Sequence, residues 1–181
     1  MAVMLPRGFR GAGRPFYRGA MTMWGEFAAE APELAGEGRR RFDASGLILL
    51  GTVRRDGHPR LSPVEPIITD GQLYLGMIHR STKALDLHRE PRCVVHNTIT
   101  GRDGQDGEFK VYGHGRSIED ADERERYCVA LFEAIGWRPE GEFDLFAIDI
   151  DQVAFVIFGD GKQTTRVWRA GQAVRESVTT P

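Results

Sequence analysis

The chain has only two cysteines in 181 residues, Cys93 and Cys128, and no C-x-x-C pair. Neither a disulfide framework nor a zinc ribbon is therefore encoded, and a reducing cytoplasm is the expected compartment. No apolar run reaches 18 uninterrupted residues, so no spanning helix is expected and no membrane partner follows. The formal net charge is only −2, which leaves no overall basic character to draw the chain to nucleic acid. Familiar catalytic signatures are missing too: there is no G-x-x-x-x-G-K-[ST], H-E-x-x-H or G-x-S-x-G, and no G-x-G-x-x-G between a strand and a helix. His58, His79, His88, His96 and His114 never fall three or four residues apart. A local metal pair is thus not encoded, and no metal is expected.

Glycine and proline, in contrast, are plentiful, at 22 and 9, and they fall between apolar runs in the manner of a turn-rich β protein. Residues 1–20 hold Arg7, Arg10, Arg14 and Arg18 and no acid. They read as a disordered extension, or as an upstream start ahead of Met21 and Met23. Residues 21–181 read as one domain. Its opening is helical over about 22–44, with a second start at Pro32 and a stop at Gly46. The period then changes to extended runs at 47–53, 58–68 and 73–78, separated by Asp56-Gly57 and Asp70-Gly71, which predicts an antiparallel meander. A short helix is expected over 80–90, capped by Ser81 or Thr82 and ended before Pro91. Strands follow at 92–100 and 108–118, then an amphipathic helix over about 121–136 behind Asp120, strands at 143–158 and 164–169, and a frayed end. The order suits a small antiparallel barrel of six to seven strands with a few flanking helices, mainly β within the α+β class, rather than a doubly wound sheet.

One cluster stands out chemically. Arg80-Ser81-Thr82-Lys83 sits at a predicted strand-to-helix junction, where free N–H groups, hydroxyls and two cations make an anion site suited to phosphate; the same residues also serve as an ordinary N-cap with solvated charges. DGHPRLSPVEP (56–66), LYLGM (73–77) and STKALDLHREPR (81–92), in this order and spacing, resemble the split-barrel flavin-binding family that includes pyridoxamine 5'-phosphate oxidase, over roughly residues 40–158. The resemblance implies a split barrel and a homodimer with FMN in each of two interfacial grooves. It implies that Arg80, Ser81, Thr82 and Lys83 hold the flavin phosphate, with Arg60 reaching it from the neighbouring strand. Leu61, Ser62 and Pro63 would edge the ring, with Gly76 and Met77 on the adjacent strand, while Glu108 would contact it from the other subunit. Trp168 would cover the ring, unless it is a core or dimer aromatic, the commoner fate of a lone Trp.

The implied activity is flavin-dependent oxidoreduction, with hydride passing to or from a small conjugated or carbonyl substrate. Relatives of this superfamily use a 5-deazaflavin coenzyme or bind haem, and a non-catalytic flavin or haem carrier is the competing expectation. Thr82 stands where pyridoxamine phosphate oxidases carry arginine before the lysine, and TTRVWR (164–169) lacks their Arg-x-His-type substrate grip, which argues against the vitamin substrate. No obligatory catalytic side chain is visible. His79, His96 and His114 are the candidate proton donors, and His114, set between two glycines where a ligand or backbone approaches closely, leads among them.

Overall fold

A computed structural model describes residues 22–102, 104 and 106–180; the arginine-rich extension expected over 1–20 lies outside the described residues. The opening helices are α1 (Trp24–Glu30) and α2 (Pro32–Ser45). Pro32 occupies the first position of α2, where its missing N–H costs nothing, and Gly46 ends it in the left-handed region at φ 64°. The strands β1 (Ile48–Val53), β2 (Pro59–Val64), β3 (Pro66–Thr69) and β4 (Gln72–Ile78) follow, then α3 (Thr82–Arg89), β5 (Arg92–Asn97) and β6 (Glu108–Ser117). The chain closes with α4 (Ala121–Ile135), β7 (Phe143–Gly159), β8 (Lys162–Arg169) and β9 (Arg175–Thr179).

All strand pairs are antiparallel, in the order β2-β1-β5-β6-β7-β4-β3, with β8 and β9 continuing from β7. The ends of this path, β2 and β3, are separated in sequence by Glu65 alone. The extended run expected at 58–68 is therefore one line of chain whose first half pairs with β1 and whose second half pairs with β4. The predicted meander is corrected on this point: β4 takes β7, not β2, as its other neighbour, which closes the barrel. Asp70-Gly71 and Asp160-Gly161 have positive φ at both positions, the two-residue turns that match the twist of their hairpins.

The second correction concerns the end of the chain. Residues 175–179 form β9 against β8 instead of fraying, with Arg166 Nε and Glu176 Oε2 2.7 Å apart across the pair. Every residue of β9 is exposed, so the strand has no buried face and carries no hydrophobic alternation to announce it.

The barrel interior and the inner faces of α1 and α2 share one core. Phe109 on β6 is fully buried beside Phe42, at 5.7 Å between ring centroids, with Trp24 and Phe155 also in reach. A second apolar layer lies outside the barrel, where α4 sets Tyr127, Cys128 and Leu131 over Tyr74, Leu145 and Ala147. Asp120 caps α4 by accepting the Glu123 N–H at 2.8 Å. No helix among the described residues is long and apolar enough to cross a membrane. Replacing Phe109 by alanine empties the centre of the aromatic core and is expected to cost about 3–5 kcal/mol, read as a lower urea midpoint with unchanged slope.

Candidate functional site

The junction between β4 and α3 is built by backbone constraints. Arg80 turns the chain in the left-handed region at φ 53°, and its N–H donates to Asp144 Oδ2 at 2.6 Å. Asp144 stands at the start of β7, opposite Met77 of β4. Its other oxygen meets His88 Nε2 at 3.0 Å, so one carboxylate holds both the entry and the last turn of α3. Burial works to raise the Asp144 carboxyl, but the hydrogen bonds from His88 and from the Arg80 backbone outweigh it and leave the group below the ordinary carboxylate range.

A second carboxylate pins α3 to the barrel. Asp86, almost fully buried, accepts from Arg60 Nε at 2.7 Å and Thr52 Oγ1 at 3.0 Å, with Arg89 Nη1 at 3.3 Å. Here too burial opposes ionisation and is outweighed, first by the hydrogen bonds from Arg60 and Thr52, so the carboxyl is held low.

Ser81 is the N-cap of α3, yet its side chain makes no capping bond, and its Oγ is buried without a hydrogen-bond partner. The first-turn N–H groups of a helix have no intrahelical acceptors. Thr82 is exposed, and Lys83 is half-buried and outside every ion pair of the described residues. Lys83 lines one side of a cleft here, whereas Arg80, Ser81 and Thr82, which precede it at the start of the helix, are not in the lining. The cleft has a volume of about 390 Å³ and lies between the outer face of β2 and β4, α4, and the loop that follows α4. Pro63, Gly76, Met77 and Lys83, from three separate segments of the sequence expectation, all line it. Gly76 is required there, because a Cβ would fall 2.1 Å from the Tyr127 hydroxyl. Leu61 lies on the same outer face of β2 as Pro63 and is 68% exposed, whereas Ser62 points inward. Met77 has its side chain in the barrel core.

Other expected residues are not brought to this cleft. Trp168 is 0% exposed, packed 4.8 Å from Phe27 with its indole N–H donated to Glu30, because β8 turns that face onto α1. Its ring is spent on the core and covers no groove. Glu108 is paired with Lys110 on its own strand. Arg60 is taken by Asp86, so at least one of its donors serves the barrel. His114 does not line the cleft and pairs with Asp151 at 3.1 Å. The close approach anticipated beside it is made by backbone, since the Asp149 carbonyl oxygen lies 2.1 Å from where a Gly113 Cβ would stand. Burial pushes the Cys93 thiol up to about 12, which leaves it protonated and unreactive.

Sequence reasoning missed Asp86, Asp144, Glu65, Tyr127 and Trp137. Asp86 carries a detectable signal, a charge on the same buried side of a short helix as Ala84 and Leu87. Trp137 and Glu65 carry none, since one lies past the end of α4 and the other at a strand break. Among the described residues no group of three or more His, Cys, Asp or Glu side chains is placed to hold a metal ion.

A closed antiparallel barrel with a short helix between β4 and β5 and further helices on its flank is a split barrel. The chain belongs to the pyridoxamine 5'-phosphate oxidase family, whose sequence profile matches residues 34–157. No curated protein matches the sequence. Solved structures share the fold at low identity. A pyridoxamine 5'-phosphate oxidase-related, FMN-binding protein from Nostoc punctiforme is 16% identical with a TM-score of 0.62, over 83% of this chain and 96% of that one. A heme-binding protein from Mycobacterium smegmatis is 17% identical with a TM-score of 0.57, over 82% of this chain, which spans only 58% of the mycobacterial protein. Campylobacter jejuni ChuZ is 13% identical with a TM-score of 0.63, over 77% of this chain and 61% of that one.

Asp86 is ionised in the fold with its carboxyl below the ordinary value of 3.8, so its contribution to stability is present above that value and is lost as pH falls through the lowered one. Asp86→Asn is expected to cost about 3 kcal/mol at neutral pH. It should also flatten the loss of stability below about pH 4, both read from urea midpoints across a pH series.

Proposed function

We propose that the cleft binds FMN and that the protein is a flavin-dependent oxidoreductase acting on a small conjugated or carbonyl compound. The observation that carries this reading is the unpaired Lys83 beside the unsatisfied, buried Ser81 Oγ at the N-terminus of α3. Those groups fit a phosphate: Lys83 supplies the charge, Ser81 and Thr82 the hydroxyls, and the first turn of α3 its N–H groups. Main-chain groups of Leu61, Ser62 and Pro63 edge the ring, and Gly76 leaves room beside Tyr127. FMN, once bound, supplies hydride transfer. The protein's part is to hold the phosphate, to exclude water with the apolar walls, and to place a proton. His79 is the imidazole best set for the last role, because its ion-pair partner Glu142, at 3.4 Å, lines the cleft. A second copy of the chain completes the groove; Leu61 and Ile78, 68% and 80% exposed at its rim, are the side chains for it to cover.

The family, and the FMN-binding relative from Nostoc, support a flavin over other chromophores. The heme-binding relative gives the competing reading of a tetrapyrrole carrier, and a deazaflavin coenzyme is the nearer alternative. The purified protein is expected to take up FMN with a flavin absorbance band; a Soret band with added haem and no flavin uptake would replace the proposal with haem carriage. Lys83→Ala is expected to weaken FMN about 10- to 100-fold through loss of one charge-assisted contact, with riboflavin, which lacks the phosphate, unaffected. Equal FMN affinity in the variant removes the site.

A further inference from the structure

The turn from β4 into α3 carries an unusual residue. Its two central positions are His79 and Arg80, and it is closed by the Ser81 N–H donating to the Ile78 carbonyl oxygen at 3.0 Å. Positive φ at the second central position favours glycine or asparagine, yet Arg80 stands there at 53°. Two other non-glycine residues among those described have positive φ, Asp70 and Asp160, and each is followed by glycine in a hairpin turn. Aspartate has a short polar side chain that bonds locally in this region, and arginine has not. A residue with a Cβ and no such help favours other conformations about 5- to 30-fold.

The compensation comes from a distant strand. The Arg80 N–H donates to Asp144 Oδ2 at 2.6 Å, across 64 positions of sequence. Asp144 is largely buried, and its carboxylate is fixed by β7, which sets it opposite Met77, and by His88 Nε2 at 3.0 Å. Asp144 is not in the cleft lining, and the Arg80 side chain is exposed. The strained turn is thus held through its main chain. An observed backbone outlier of this kind, over-determined by its surroundings, points to a function. The next residue is Ser81, whose Oγ is buried and unpartnered, and the first turn of α3 follows at once.

Resting on the phosphate reading of this junction, the geometry points to Asp144 as its positioning residue: by holding Arg80 left-handed, it sets Ser81, Thr82 and the first-turn N–H groups of α3 in place beside Lys83, without touching the ligand. The role is geometric rather than electrostatic. A carboxylate near a phosphate repels it, so what Asp144 contributes is an acceptor at a fixed point, which an amide oxygen also supplies. Glycine adopts the left-handed conformation unaided, so the substitution Arg80→Gly makes Asp144 dispensable.

A double-mutant cycle tests this, with FMN and riboflavin as probes and binding read from flavin fluorescence. Asp144→Ala is expected to weaken FMN about tenfold, because only the fraction of molecules with the turn formed then binds, and to weaken riboflavin less than about twofold. In the Arg80→Gly background the same substitution should cost less than about threefold. Asp144→Asn, which keeps an acceptor for the Arg80 N–H, should stay within about threefold of the parent. An unchanged FMN-to-riboflavin ratio in Asp144→Ala, an equal loss in the Arg80→Gly background, or an asparagine as damaging as alanine overturns the inference. Hydrogen exchange of the Ser81 amide in flavin-free protein reads the turn without the cofactor. It should quicken about tenfold in Asp144→Ala and recover when Arg80→Gly is added; no quickening also overturns the inference. Failure of the parent protein to bind FMN counts against the flavin reading alone, while the Ser81 amide still decides the role of Asp144.

Discussion

Residues 59–69 pair with two different neighbours, and the barrel depends on that division. Up to Val64 the segment is hydrogen-bonded to β1; from Pro66 it is bonded to β4. Pro66 lacks an N–H and cannot donate to a ladder, so the change of partner falls where one bond is already missing. Closure by a single line of chain brings Pro63 and Gly76, the end of β4 and the start of α3 around one cleft. The same break leaves Glu65 outside both ladders with its side chain in that cleft. The geometry of the candidate site is therefore a by-product of how the sheet closes.

Carboxylates divide the work around α3. Asp86 and Asp144 are spent on structure: each is largely buried, each is kept ionised by donors that outweigh its burial, and together they hold the helix to β1, β2 and β7. With the anions of the anchor already matched by Arg60, Arg89 and His88, Lys83 has no internal partner to claim it. A cation left unpaired in a partly buried position is a cost to the folded chain unless something outside it supplies the counter-charge. Arg60, which the family resemblance had reaching the phosphate from the neighbouring strand, is instead drawn to Asp86, because a buried carboxylate needs its donor more than an exposed cleft does.

The legible features were those that local chemistry decides. The Asp-Gly pairs at 56–57, 70–71 and 160–161 mark three hairpins, Pro32 and Gly46 bound α2, and Asp120 caps α4, each for reasons confined to a few residues. The cluster at 80–83 marked the strand-to-helix junction, with Ser81 at the N-cap of α3, through residue type and its place before a helix. Trp168 and His114 were not legible. An isolated aromatic near the end of the chain has the same local context whether it faces a ligand or a core, and only the packing of β8 on α1 consigns Trp168 to the interior. Likewise the glycine before His114 reads as room for a ligand until β7 is seen to bring its own carbonyl there.

Turn chemistry, helix caps and alternation of apolar residues act over two to eight positions, so the sequence by itself determined the elements up to β8 and the barrel class. The partner of each strand, the burial of Asp86 and Asp144, and the meeting of Lys83 with Glu65, Tyr127 and Trp137 in one cleft depend on residues more than seventy positions apart. No local pattern encodes such distances, because the free energy that selects them comes from closing the barrel as a whole; the tertiary structure alone decided them.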